Sequence, residues 1–472
     1  MSRSFSDFRL SAVLRLTARP FGFAYDTLPN WQQMTWVIVL AITALNGLAS
    51  FYDYWRFDGY DLRIRVVGAR LLVQGIDPYT YSSSPDLPPE LQDPGQQFRG
   101  LSRCTYPPPL LLVYAPLSPL PYTLQRPIWM VLEWVALLAV IALASRLSPS
   151  ARIRFLTTAC GLGLVAASYV WRFHVERGQY YVFIALLLVL AVGLLVRCRR
   201  DHLVAGILLG LAIAMRPPVA IILLPLWLGG LRRTALTGGL TAAVCVAATL
   251  PLSGMTAYAN YTRVATAWEK VMLDWEQAKK EYGVQPREKQ RVDGFRIGEL
   301  ELRGASWTVA RALNQPQLPA LFHTPSGQKA VYAVVLALWL GLFYLANRVR
   351  PFSVRETVQA GVWLVVLTDY FLPLRVEYAD VLYLLPMAMV MPVMAVPRNR
   401  GWLLALILAW LPVVAVTGPQ FSAYWGQMVP ARGLALLVIC GLPTFAAWWS
   451  RARLLGRQLA PGTPTPLPDA QG

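Results

Sequence analysis

Three charged residues whose types suit group-transfer chemistry stand beside long apolar runs. Asp58 and Asp61 directly follow the first run, and Arg216 interrupts a later one. A carboxylate can take the proton from an attacking hydroxyl, and a guanidinium can hold an anionic leaving group. Spacing alone leaves a second interpretation of each role. Asp61 could instead cap the helix that follows it. Arg216 could instead form a structural ion pair with Glu133 or Asp369.

Motifs for tightly bound cofactors are missing from the sequence. It has no Asp-x-Asp pair, no histidine-rich pair, no cysteine cluster at ligand spacing and no P-loop or dinucleotide-binding motif. Asp58 and Asp61 are three residues apart and could share a divalent cation. We nevertheless predict chemistry that needs no metal and no other cofactor.

The amino-acid composition indicates whether the protein is soluble or embedded in a membrane. Of 472 residues, 56% are hydrophobic and only 14% are charged. Because a soluble protein carries roughly 25% charged residues, this deficit predicts an integral membrane protein.

A net charge of +18 is compatible with nucleic-acid binding, but its distribution argues against that class of partner. Arginines fall in short clusters at every second boundary between apolar runs, the pattern that holds loops on the cytoplasmic side. The clusters lie near residues 146–154, 197–200, 232–233, 348–355, 398–400 and 451–457. We therefore predict no nucleic-acid partner and cytoplasmic positions for both termini.

The apolar runs predict about twelve membrane crossings. A bilayer core needs about 20 apolar residues per helix. The run over residues 203–230 contains Arg216-Pro217-Pro218 at its middle, and proline removes a backbone donor, so we predict two half-spans that meet at Arg216. The other predicted spans cover residues 34–55, 125–145, 154–171, 179–196, 234–252, 329–346, 357–372, 379–396, 401–417 and 431–450.

Two predicted outer segments, residues 56–124 and 253–328, are too long to be simple connections. In the first, apolar residues at helical spacing precede Gly75, and we predict a helix on the membrane surface that ends there. These apolar residues are Leu62, Val66, Ala69 and Val73. The second segment opens with an amphipathic stretch that carries Trp268 and Trp275, and a second surface helix is predicted there.

The resulting fold class is all-α, a polytopic bundle of about twelve helices over residues 34–450. Residues 1–33 form a cytoplasmic segment, in which 5–25 could be an interfacial helix or a flexible tail. Residues 451–472 are rich in proline, and this composition predicts a disordered cytoplasmic tail.

The order of several short motifs resembles glycosyltransferase family 87, within the multispanning GT-C superfamily. The resemblance covers about residues 50–390, with the motifs on one predicted side of the membrane. At Arg216 the family often has lysine, and at Glu377 many members have histidine. The motifs are Tyr60-Asp61-Leu62, Leu72 to Tyr79, Tyr106-Pro107-Pro108, Gly178-Gln179, Ala205-Gly206 leading to Arg216-Pro217, Ser306-Trp307-Thr308 with Arg311, and Pro373 to Tyr378.

The resemblance implies a GT-C-like bundle in the inner or plasma membrane. It implies transfer of a sugar, mannose or a related hexose, from a polyprenyl-phosphate donor to a glycolipid or glycan acceptor on the extracytoplasmic side. The expected partners are these two substrates and the surrounding membrane lipids. Asp61 is then the general base of an inverting single displacement, and Arg216 contacts the donor phosphate. Arg375 and Arg126 are further cations suited to that phosphate.

The resemblance also implies a set of substrate-binding residues, each with a simpler alternative. Glu377 and Tyr378 are expected to bind sugar hydroxyls, although a solvated helix cap fits equally well. Gln179 is expected to bind sugar or phosphate, or merely to begin a span. The full predicted set is Asp58, Tyr106, Gln179, Arg216, Arg375, Glu377 and Tyr378. The alternative function is a transporter or flippase for a lipid-linked sugar or a small anion, since broken helices also occur in transporters.

Overall fold

The computed structural model describes residues 5–56, 59–81, 88–92, 102, 104–273, 325–372, 377–396, 399–414 and 433–450 except 447. All regular structure in these ranges is helical, as predicted. The α-helices are α1 (Phe5–Ala18), α2 (Asn30–Arg56), α3 (Tyr60–Val73), α4 (Pro108–Tyr114), α5 (Tyr122–Ser145), α6 (Ala151–Cys160), α7 (Tyr169–Arg177), α8 (Tyr181–Cys198), α9 (Leu203–Met215), α10 (Leu223–Leu228), α11 (Arg232–Leu273), α12 (Pro325–Val349), α13 (Val354–Tyr370), α14 (Leu384–Met394), α15 (Arg400–Val414) and α16 (Gly433–Ser450).

The membrane-spanning character is carried by a subset of these helices. In the described ranges, six helices are long and apolar enough to cross a bilayer, namely α2, α5, α8, α11, α12 and α16. A seventh span results if α6, the π-helical turn Gly161–Ala166 and α7 are counted together, since they bend by 60°. The chain is therefore a multi-spanning membrane protein, while the figure of twelve crossings remains a prediction.

The predicted break at Arg216 is confirmed. Helix α9 ends at Met215, and Arg216 adopts an extended conformation before the 3-10 helix Pro217–Ile222 and α10. Pro217 and Pro218 lack the N–H groups that would continue the α-helical ladder, which explains why the helix stops here. The break places a polar residue in an otherwise apolar stretch.

Helix α3 exists as predicted and ends as predicted, but it is enclosed by other parts of the protein. Gly75 has φ +73°, and the N–H groups of Gly75 and Ile76 bond to the carbonyls of Leu72 and Leu71, the hydrogen bonds of a Schellman motif. A helix on the membrane surface would bury one face only. Here Arg63 and Arg65 are at most 1% exposed, so other parts of the protein enclose α3 on both faces, and its position relative to the membrane surface stays a prediction.

The ends of several helices meet at one end of the bundle. These are the C-terminal ends of α2, α7, α9 and α13 and the N-terminal ends of α3, α5 and α8, as shown by contacts such as Arg172 with Asp53 and Arg216 with Asp369. Described arginine-rich loops lie at the opposite end, where Arg154 bonds to Gly22 and Arg355 to Leu147. The bundle thus has one basic end and one end at which most predicted site residues gather.

The first long segment and the helix after Gly254 pack on each other through a small second core. Gly254 has φ +67° and kinks α11, so the residues beyond it turn back over α3 and α4. Trp268, which belongs to the amphipathic stretch predicted in the second long segment, is 6% exposed in this core, and its N–H donates to the Ser102 carbonyl at 2.7 Å. Trp268 therefore has a structural role here.

Candidate active site

Asp61 lies in the first turn of α3 and is 8% exposed. The N-cap of this helix is Gly59, which has no side chain to cap the first turn. Asp61 instead accepts a hydrogen bond at Oδ2 from Nε2 of Gln179. In the described part of the chain no group donates to Oδ1 of Asp61, so this oxygen is available to a substrate hydroxyl.

Gln179 is held in one orientation by Arg65. Nη2 of Arg65 donates to Oε1 of Gln179 at 2.6 Å, which leaves the Gln179 NH2 group to face Asp61. Arg65 is four residues after Asp61 and therefore on the same side of α3. Gln179 is fully buried and its amide bonds to Arg65 and Asp61, so it orients the Asp61 carboxylate, and its predicted direct contact with sugar or phosphate stays a prediction.

The charge of Arg65 is fixed by its surroundings. Burial opposes the charged form, but Tyr106, Tyr114, Asp61 and Tyr180 more than offset this and raise the pKa of Arg65 well above its ordinary value. The guanidinium lies 4.3 Å from the Tyr106 ring and donates to its hydroxyl at 3.0 Å. Asp61 therefore works beside a permanent positive charge.

The turn between α7 and α8 brings Gln179 to Asp61. Gly178 has φ +65°, and a Cβ atom built there would lie 2.6 Å from Cβ of Leu62, so only glycine permits this approach of the turn to α3. The Gly178 carbonyl accepts from Nη1 of Arg65 at 2.7 Å. The Gly178-Gln179 motif thus holds the α7–α8 turn against α3 through these contacts.

The buried side chains of His174 and Glu133 form a pair that packs under the turn between α7 and α8. Nδ1 of His174 lies 2.9 Å from Oε1 of Glu133, and both side chains are at most 1% exposed. The Val182 N–H donates to Nε2 of His174, and the Gln179 N–H donates to the His174 carbonyl. Because Nε2 accepts a hydrogen bond, the proton of the neutral ring lies on Nδ1, toward Glu133.

Arg216 forms the ion pair that was the alternative to a phosphate contact. Its Nη2 donates to Oδ1 of Asp369, and its Nη1 donates to the Tyr181 hydroxyl at 2.8 Å. Glu133, the other proposed partner, pairs with His174 instead. A phosphate contact by Arg216 remains a prediction, and it would have to be made by a guanidinium that already has an acidic partner.

A group of four tyrosines extends from Arg65 to Arg216. The ring centroids are 6.1 Å apart for Tyr106 and Tyr180, 4.8 Å for Tyr180 and Tyr181, and 5.5 Å for Tyr181 and Tyr378. The Arg216 guanidinium lies 4.6 Å from the centroid of the Tyr181 ring. We call this group the tyrosine cluster: Tyr106, Tyr180, Tyr181 and Tyr378. The cluster places the surroundings of Asp61 and Arg216 within one continuous layer of aromatic side chains, whose faces suit the apolar faces of a sugar ring.

The remaining predicted residues divide into those the structure places and those it does not. Tyr378 belongs to the tyrosine cluster and lies within electrostatic range of Asp61. Glu377 begins the 3-10 helix Glu377–Tyr383, but its side chain, like Asp58 and Arg375, lies outside the described residues. Asp77, which precedes Pro78, accepts a hydrogen bond from the Tyr79 N–H at 2.8 Å and so forms a turn.

Comparison with known families decides the class of protein. The family model described as glycosyltransferase family 87 matches residues 105–368, more than half of the chain. The chain belongs to glycosyltransferase family 87. Curated proteins and solved structures gave no match.

Family membership makes this chain a membrane glycosyltransferase, and it favours an enzyme over the transporter alternative. Tyr106, Gln179 and Arg216 lie inside the matched range, whereas Asp61 and Tyr378 lie outside it. The role of Asp61 in this family 87 protein therefore rests on its geometry and not on the match.

Two arginines of the family 87 site were missed from the sequence. Arg65 could have been found, because it follows Asp61 at the spacing of one helical turn. Arg177, which lies within electrostatic range of Asp61, gave no such signal. Among the described residues no three His, Cys, Asp or Glu side chains lie close enough together to hold a metal ion, and metal-independent chemistry stays a prediction.

Proposed function

We propose that this chain transfers a hexose, mannose by the family resemblance, from a polyprenyl-phosphate donor to a glycolipid or glycan acceptor. The reaction takes place at the end of the bundle that holds Asp61, which we assign to the extracytoplasmic side, with both termini in the cytoplasm. The basic loops at the opposite end support this orientation, because arginine-rich loops are retained in the cytoplasm.

The reaction is a single displacement with inversion at the anomeric carbon. Asp61 accepts the proton of the acceptor hydroxyl through Oδ1 as the hydroxyl oxygen attacks C1 of the sugar, and the bond from C1 to the phosphate oxygen breaks. The polyprenyl phosphate leaves as an anion and needs a nearby cation. The single observation that carries this proposal is the buried Asp61 carboxylate, with Oδ2 held by Gln179 and Oδ1 without a donor in the described residues.

The test is sugar transfer by purified protein in lipid vesicles, with polyprenyl-phosphate mannose as the donor. Asp61→Asn keeps the shape of the side chain but cannot accept the proton, so we expect kcat to fall by roughly 10²–10⁴-fold. Asp77→Asn is the matched control, because asparagine supports the same turn and activity should be kept. Normal turnover by Asp61→Asn would remove Asp61 from the base role. Extracts of cell-envelope glycolipids from cells with and without the protein, compared by mass spectrometry, would identify the acceptor.

A further inference from the structure

Arg126, in the first turns of α5, is a buried cation whose hydrogen-bonding capacity is unused by the described residues. The side chain is 3% exposed, and its Nε, Nη1 and Nη2 atoms have no hydrogen-bond partner in the described part of the chain. One face of the guanidinium lies 4.3 Å from the ring of Tyr54. A cation–π contact uses this face and leaves the five N–H groups in the guanidinium plane unsatisfied. Because buried polar groups are nearly always paired, such an arginine indicates a ligand.

The Arg126 guanidinium lies against the N-terminus of α3. A Cβ atom at Gly59 would lie 3.1 Å from Nε of Arg126, so glycine at the N-cap lets the guanidinium approach the helix. The Tyr122 hydroxyl donates to the Gly59 carbonyl at 3.0 Å and fixes this end of α3. The first N–H groups of a helix point outward and carry partial positive charge, so a helix N-terminus binds anions. Because the N-cap residue is glycine and has no side chain to cap this turn, the guanidinium and the helix end form one anion-binding position.

The described acidic residues near Arg126 make their ionic contacts with other residues, Glu133 with His174 among them. Asp53 accepts from Arg172 at 2.6 Å. Glu176 is within electrostatic range of Arg126, but its ionic contact is with Arg177 at 3.8 Å. The positive charge of Arg126 is therefore the one in this group that lacks a carboxylate at contact distance among the described residues.

We propose that Arg126 and the first turn of α3 bind a phosphate group of a lipid-linked substrate. This inference rests on the proposed function, because the same turn carries Asp61. A polyprenyl-phosphate donor and a phospholipid-anchored acceptor both present phosphate oxygens. On the lipid-facing sides of α2 and α5, apolar residues such as Leu48 (68% exposed) and Val131 (55% exposed) leave room for the hydrocarbon chain of either substrate. The guanidinium is covered in this structure, so a phosphate reaches it after a local displacement of neighbouring side chains.

The experiment measures thermal unfolding of the purified full chain with farnesyl phosphate, using farnesol as the probe that lacks phosphate. We expect farnesyl phosphate, and not farnesol, to raise the unfolding temperature of the wild type. Arg126→Met should weaken farnesyl phosphate binding roughly ten- to hundredfold, because a hydrogen bond to a charged group is lost. Without any lipid, Arg126→Met should unfold at or above the wild-type temperature, because an unpaired buried charge has been replaced by an apolar side chain.

Arg172→Met is the matched control, since Arg172 lies in the same group but is paired with Asp53. It should unfold at a lower temperature without lipid and keep the shift with farnesyl phosphate. A full phosphate-specific shift in Arg126→Met would overturn the proposal, and so would a loss of stability without lipid as large as that of Arg172→Met.

A second arm uses phosphatidylinositol, a phosphodiester lipid. A shift with this lipid alone, absent from Arg126→Met, would support the site and assign it to the acceptor. Asp61→Asn should keep the phosphate-specific shift even though its rate of sugar transfer is strongly reduced. If wild-type protein binds farnesyl phosphate through Arg126 but transfers no hexose, the binding site stands and the proposed function falls.

Discussion

Substitutions in the Arg216–Asp369 ion pair can distinguish a structural role of Arg216 from a role in binding the donor phosphate. The two side chains are 12% and 6% exposed, so removing one of them leaves the other charge buried without its partner. This costs about 3–5 kcal/mol in proteins. At about 2 °C per kcal/mol for a large chain, Asp369→Leu or Arg216→Met should lower the unfolding temperature by about 6–10 °C. The double variant replaces the pair by apolar side chains of similar volume and should recover most of this loss.

The assay combines thermal unfolding with the KM for the polyprenyl-phosphate donor. In the double variant of Arg216 and Asp369 we expect a donor KM within about threefold of wild type, because the Arg216 charge is already neutralised by its partner. A rise of tenfold or more, about 1.4 kcal/mol, would show that Arg216 holds the phosphate. An unchanged unfolding temperature in Asp369→Leu would contradict the structural ion pair itself.

Two further substitutions test the turn that holds Asp61. Gly178→Ala should lower both the unfolding temperature and kcat, because the new Cβ meets Leu62 at 2.6 Å and the φ of +65° is strained. Gly75→Ala is the control: its φ is +73° but no atom lies within 4 Å of the new Cβ, so it should lose less stability and keep its kcat. Equal losses in the two variants would contradict the packing argument. Glu133→Leu removes the partner of His174 and should lower kcat with little change in acceptor KM, with partial recovery in Glu133→Gln; normal kcat in Glu133→Leu would show that the pair does not position the site.

The helical breaks were predictable from the sequence because they are caused locally. Pro217 and Pro218 stop α9 by removing backbone donors, and Gly75 ends α3 because it alone readily adopts a left-handed conformation. The position of Asp61 beside a predicted helix start also followed from local order along the chain. These features depend on a few adjacent residues, so no knowledge of the packing was needed.

The partners of the polar residues were not predictable to the same degree. Helical spacing in α3 indicated one apolar face, but the burial of Arg65 depends on tyrosines and on a carbonyl more than 100 positions away in the chain. For the same reason Gln179 was assigned to a substrate, although the structure directs its amide to Asp61 and Arg65. Arg216 had two possible acidic partners in the sequence, and only the packing of α9 against neighbouring helices selects Asp369.

The partial charges of the helix ends differ at Arg126 and Arg216, the two arginines considered for binding the phosphate. Arg216 is the C-cap of α9, where outward-pointing carbonyls carry partial negative charge, and Asp369 adds a full negative charge there. Arg126 lies at the N-terminus of α3, where the helix contributes partial positive charge. At Arg126 a phosphate anion is attracted by the guanidinium and by the helix end, and is opposed by Asp61 in the same turn. At Arg216 it is opposed both by the helix end and by Asp369, which is in direct contact with the guanidinium. The phosphate should bind on the Arg126 side of Asp61, with the tyrosine cluster left to the sugar.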